Sequence, residues 1–187
     1  MKLIRNLTKK YIRHLLLQRQ IKSVTSVVFL QGEMLMQKEK IKQRVRELIK
    51  RHNTCNPFDL AELCGIQITY AQLQEMNGLY MKYRRVGVII ISTEAPEHML
   101  NYICAHELGH ALLHDGLNVH CMTSHGYFSA GRYEREADFF AAELLLARDM
   151  QENEDASIYD AAALHGVPMR IAENYAEYAG GRKSWQQ

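Results

Sequence analysis

The run Cys104-Ala105-His106-Glu107-Leu108-Gly109-His110-Ala111-Leu112-Leu113-His114 constrains this chain more than any other stretch. It reads as helix. At 3.6 residues per turn His106 and His110 lie one above the other on one face, so both imidazoles can reach one metal ion. Glu107, one step round, can reach a water held on that ion without binding the ion itself. This is the H-E-x-x-H spacing that a catalytic zinc uses. The motif alone is suggestive, and the residues downstream of it are decisive.

A catalytic zinc takes three protein ligands and leaves one position open for water. The run Glu134-Arg135-Glu136-Ala137-Asp138 offers the third ligand. Glu134 and Asp138 are four apart and share a helical face. In such an E-x-x-x-D arrangement the glutamate binds the metal. The aspartate accepts the free N–H of a ligand histidine and fixes its tautomer. Glu136 is the rival ligand, but four residues beyond it stands Phe140. The alternative for these acids is an exposed helix face, against which Ala137, Phe139, Phe140 and Ala141 mark the helix as packed. Glu107 is the expected general base, because zinc lowers the pKa of a bound water to about 7. His114, a turn beyond His110, is expected off the metal. His120, His125, Tyr127 and Tyr133 lie in or beside the following loop, where a carbonyl-polarising donor could sit. The longer metzincin pattern is absent, since Leu113 and Gly116 stand where its glycine and third histidine belong.

A chain of 187 residues usually makes one domain. No apolar run approaches the roughly 20 residues of a membrane span. Leu15-Leu16-Leu17 is cut off by Gln18-Arg19-Gln20, too soon for a signal peptide. Cys55, Cys64, Cys104 and Cys121 form no C-x-x-C pair and suit a reducing cytoplasm as free thiols. No membrane association is therefore expected, and the location is read as cytoplasmic. The net charge of +2 hides a split: residues 1–51 hold 14 Lys/Arg against 3 acids, and residues 52–187 hold 9 against 18. The basic part reads as a solvated helix face and a tail rather than a nucleic-acid site.

Leu3, Leu7, Tyr11 and Leu15 give the first 33 residues a weak amphipathic period, which would suit a membrane or a partner. Gln31-Gly32-Glu33 can be encoded by a ribosome-binding sequence, with Met34 and Met36 following. Residues 1–35 are accordingly expected to be a basic extension outside the native product, and residues 36–187 a single domain. Mass spectrometry of protein expressed from its own upstream DNA would detect Met1 if that expectation is wrong.

Within the domain, Ile41, Val45, Leu48 and Ile49 mark one helix. Asn56-Pro57 starts a short helix over 58–63, closed by Gly65. Residues 66–70 alternate as a strand, Asn77-Gly78 signals a turn, with a longer loop there an equal alternative, and 79–83 with 86–92 read as an antiparallel pair across Arg84-Arg85. Pro96 opens the motif helix and Gly116 closes it. A loop over 117–131 leads to a helix from Tyr133 to about Ala147. Two short helices, 157–164 and 168–178, meet across Gly166. The expected fold is α+β and zincin-like: a small antiparallel sheet packed with helices, the H-E-x-x-H and E-x-x-x-D helices forming the zinc site.

A-H-E-L-G-H-A-L-L-H at residues 105–114, with E-R-E-A-D-F-F-A-A-E-L-L-L at 134–146, resembles the ImmA/IrrE family of metallopeptidases. Residues 56–61 and 64–66 extend the likeness, which covers roughly 38–178. Ala147 stands where the family usually has proline, and Asp138 where it often has asparagine. The resemblance implies a single Zn²⁺ on His106, His110 and Glu134, with Glu107 as catalytic base. It also implies a protein substrate, a helix-turn-helix repressor whose cleavage releases a mobile-element or stress operon. The exposed side of the sheet is a place for such a peptide to add as a strand. Two other readings compete. One is a zinc-bound scaffold that sequesters the repressor uncut. The other is a direct DNA binder, since residues 158–168 and the helix after them resemble a helix-turn-helix. Asp149, Glu152, Glu154, Asp155, Asp160, Glu173 and Glu177 around it would repel phosphates, so no direct nucleic acid is expected. A His/His/Glu set would also accept Mn²⁺.

Overall fold

Apolar residues at helical spacing and turn residues between them lay out most of the elements. The computed structural model describes residues 32–114, 127–152 and 157–179. The chain divides into two compact units, Met1–Lys40 and Ile41–Gln187. Of the first, residues 32–40 are helical. The expected amphipathic period of the first 33 residues falls almost wholly outside the described residues, as do Asp115, Gly116, His120, Cys121 and His125.

The second unit opens with helical residues 41–52 (α1), which bury Ile41, Val45 and Leu48 and keep Gln43 and Glu47 hydrogen-bonded on the outside. Helix α2, Pro57–Leu63, follows. Asn56 Oδ1 accepts from the amides of Phe58 and Asp59, two donors that have no partner inside the helix. Pro57 fits the first turn, where its missing N–H is not needed.

The sheet is mixed, a correction to the expected antiparallel one. Its strands are β1 Ile66–Ala71, β2 Gly78–Tyr83 and β3 Val86–Ser92, in the order β1-β3-β2. β2 and β3 form the expected antiparallel hairpin, and β3 then inserts between its predecessors and runs parallel to β1. A parallel neighbour needs a crossover of a dozen or so residues, and here β2 with its flanking turns supplies it. For the same reason the connection at Asn77-Gly78 is the longer loop rather than a tight hairpin turn: β1 and β2 are not paired, and Gly78 is already the first residue of β2. Central β3 buries Ile89 and Ile91 completely, whereas β2 is left as an edge.

A 3-10 turn, Glu97–Met99, leads into α3, Leu100–Leu113. This helix packs against α2, β2, β3 and above all the long helix α4, Tyr127–Glu152. α4 begins six residues before the expected Tyr133 and ends five after Ala147. One glycine in a helix costs only about 1 kcal/mol, so Gly131 does not stop it, and no Gly or Pro follows Ala147 closely. Gly109 faces α4, where a Cβ would lie 3.2 Å from both Ala137 Cα and Phe140 Cβ. The missing side chain lets the two helix backbones approach.

Helices α5, Ile158–His165, and α6, Met169–Ala179, are the last of the described elements. Gly166 between them has φ +66°, and a Cβ there would collide with the His98 carbonyl. Only glycine serves both needs. Among the described residues no helix is long and apolar enough to cross a membrane.

Candidate metal centre

The site lies where α3 meets α4, beside the edge strand. Helical spacing sets His106 and His110 on one face of α3, and their Nε2 atoms are 3.1 Å apart. α4 brings Glu134 across to them, its Oε2 3.3 Å from His106 Nε2 and its Oε1 3.4 Å from His110 Nε2. One donor atom from each of the three residues lies within 4.8 Å of the others, a set that could hold a metal ion. Zinc bonds of about 2.0–2.1 Å to nitrogen in tetrahedral array separate neighbouring ligand atoms by about 3.3 Å. The donor set fits that spacing.

Both histidines have a partner on the far ring nitrogen. His106 Nδ1 is 3.0 Å from Asp138 Oδ1, at ion-pair distance, although the ring N–H is not aimed well enough for a hydrogen bond. Asp138 also accepts the Tyr102 hydroxyl at 2.7 Å. No motif marks Tyr102, yet it stands four residues before His106 and hence on the same helical face. His110 Nδ1 is 3.2 Å from His114 Nδ1. Glu136, the rival ligand, turns instead to His114 Nε2 at 3.0 Å and Arg132 Nε at 2.7 Å. Tyr133 packs edge-on against His114, with ring centroids 4.7 Å apart, and does not line the cleft. Tyr127 begins α4.

Glu107 is buried beside the histidines, and its Oε2 accepts the Tyr80 amide of β2 at 2.7 Å. Sequence could not reveal that contact, because every residue but proline carries the same amide. The strand runs close: a Cβ on Gly78 would stand 2.7 Å from Ile103 Cγ2 and 2.9 Å from Glu107 Oε1. β2 and α3 border a cleft of about 300 Å³, flanked by Met76, Leu79, Met99, Tyr102 and Ile103, with the three donors and Glu107 in its wall.

The charges match this layout. Burial pushes the Glu107 carboxyl up, against the opposing pull of both histidines and the Tyr80 amide. Burial alone would lower His106, but Asp138, Glu134 and Glu107 more than reverse it, to about 10. The hydrogen-bonding His106 and His110 imidazoles hold the Glu134 carboxyl well below the usual carboxylate range, its partial burial notwithstanding.

The model of the IrrE N-terminal-like domain, Peptidase_M78, matches residues 61–176, more than half of the chain. The chain belongs to the ImmA/IrrE metallopeptidase family. The chain is 36% identical over 136 residues to uncharacterized immunity region protein 2 of Bacillus phage phi105, covering 71% of this chain and 86% of the phage protein. It is 30% identical over 110 residues to metallopeptidase ImmA of Bacillus subtilis (strain 168), covering 59% of this chain and 65% of that protein.

Proposed function

We propose that this protein is a zinc-dependent endopeptidase whose single ion is held by His106, His110 and Glu134, with residues 36–187 as the catalytic domain. The observation that carries the reading is the convergence of those three donors from two helices, with Glu107 beside them in the wall of an open cleft. Two histidines and a glutamate form a donor set typical of catalytic zinc. Such an ion, when bound, supplies Lewis acidity that acidifies water and polarises a carbonyl. Glu107 Oε2 is held by the Tyr80 amide, which orients the carboxylate to take a proton from water and hand it to the leaving amine nitrogen. Asp138, 3.0 Å from His106 Nδ1, would favour the proton on that nitrogen and so leave Nε2 free for the ion. Edge strand β2 gives an extended peptide a place to add beside the cleft.

The substrate we infer is a helix-turn-helix repressor, whose cleavage derepresses a mobile-element or stress operon. The family supports this, and so does likeness to a protein named for a phage immunity region. The free cysteines Cys55, Cys64 and Cys104 suit a cytoplasmic location. The test is to incubate the helix-turn-helix protein encoded beside this gene with wild type and with Glu107→Gln, measuring the zinc content of each. Cleavage by wild type is expected, with Glu107→Gln slower by roughly 10²–10⁴-fold and still metal-loaded. Zinc bound and repressor retained uncut would replace cleavage by sequestration. Failure of wild type to bind any metal would overturn the reading.

A further inference from the structure

His114 is an enclosed polar group behind the site. It is 3% exposed, lines no part of the cleft, and uses both ring nitrogens. Nδ1 meets His110 Nδ1 at 3.2 Å, and Nε2 meets Glu136 Oε2 at 3.0 Å. Glu136 Oε1 then takes the Arg132 Nε–H at 2.7 Å. A neutral imidazole has one N–H and one bare nitrogen. If His110 presents a bare Nε2 to a metal, its Nδ1 must carry the proton. His114 Nδ1 must then be the acceptor, which leaves the His114 proton on Nε2, facing Glu136. Every hydrogen in the row is thereby assigned, and each donor has an acceptor.

Resting on the metal-site reading above, we propose that His114 and Glu136 are positioning residues: an outer relay that fixes the tautomer and ring orientation of His110 for metal binding. Asp138 serves His106 directly. His110 is served at one remove, through a second imidazole. The row reaches from α3 to α4, so it also ties the third ligand's helix to the helix of the first two. The row ends on the Glu136 carboxyl, which the Arg132 guanidinium holds from its other oxygen. This gives a role to two residues that the sequence reading left outside the ligand set: His114, expected off the metal, and Glu136, the rival ligand.

A plain clamp between α3 and α4 would use the same contacts, and the two roles differ in what they change. A clamp affects the stability of the metal-free protein. A relay changes metal affinity and the field around the ion. The experiment takes full-length wild type, Glu136→Leu, Glu136→Gln and His114→Gln. It measures zinc affinity by competition with a chromophoric chelator, the visible spectrum of the Co²⁺ form, and thermal unfolding without metal. Glu136→Leu should weaken zinc binding by about 10–100-fold and shift the Co²⁺ spectrum, since partners of ligand histidines carry effects of that size. Glu136→Gln keeps an acceptor oxygen for His114 and should recover most of the loss. His114→Gln interrupts the row at its centre and should weaken binding at least as much as Glu136→Leu. Wild-type affinity and an unchanged spectrum in Glu136→Leu and His114→Gln would overturn the relay alone, whatever their unfolding temperatures. Glu136→Gln as weak as Glu136→Leu would also overturn it. Wild type that binds no zinc would overturn the metal centre and the relay together.

Discussion

α3 and α4 both contribute to the candidate metal centre, and they do so in opposite ways. The His110 side chain is 4% exposed, whereas that of Glu134 is 47% exposed. α3 is walled by α2, two strands and α4, so its histidines sit in a packed interior with partners on their outer nitrogens. Glu134 reaches in from the open side of the cleft and finds its order in the two imidazoles themselves. The contrast separates two jobs. In the proposed centre the buried helix would preset the geometry, and the solvent-facing carboxylate would close the set on the side of the open cleft.

The sharpest way to break this comparison is to remove one donor from each helix. His110→Ala and Glu134→Ala should both abolish tight metal binding. Without metal they should differ. His110→Ala leaves the buried His114 nitrogen without its partner and should cost about 1–3 kcal/mol of stability. Glu134→Ala removes a half-exposed charge and should cost no more than about 1 kcal/mol. Denaturant unfolding of the two metal-free variants decides the matter. Equal losses would mean that the open side is as structural as the buried one.

A smaller effect is expected from the strand that braces α3. Gly78→Ala drives a methyl against Ile103 and the Glu107 carboxylate. Misplacing a reacting group by about 1 Å can cost about 10²-fold in rate. The turnover number should fall by up to that factor while zinc content stays at the wild-type level. Full activity in this variant would show that β2 does not fix Glu107.

The smallest effect reads the enclosure of α3 itself. Burial, with the Glu107 charge adding to it, pushes the Cys104 thiol up to about 12. Because the reactive form is the thiolate, which appears only as pH rises toward that value, folded Cys104 should stay unlabelled by iodoacetamide at about pH 8. Its labelling should climb with pH or on unfolding, as followed by peptide mass spectrometry. Fast labelling of Cys104 in the folded protein under those mildly alkaline conditions would contradict the closed interior assigned to this helix.

Much of this architecture is legible in local pattern. The period of Ile41, Val45 and Leu48, the Asn56-Pro57 helix start, the strand alternation and Gly166 each act over a few residues, and each lies where local chemistry expects it. The parallel pairing of β1 with β3 is illegible there, since strand alternation states which residues face inward but not which edge a strand joins. The start of α4 is hidden for a related reason. Ser129 and Gly131 weaken helix only slightly, and the context of the whole helix overrides them.

The sequence by itself determined which side chains could serve chemistry. The i, i+4 spacing of His106 and His110, and of Glu134 and Asp138, follows from helix geometry alone and needs no knowledge of the fold. The tertiary structure decided which carboxylate meets the histidines, because that depends on how closely α4 approaches α3 across Gly109 and on which of its faces turns inward. It likewise decided that Glu136 pairs with His114, and that a backbone amide of β2 holds Glu107. Such contacts join residues 22 and 27 positions apart, and no local period encodes a contact made across that distance.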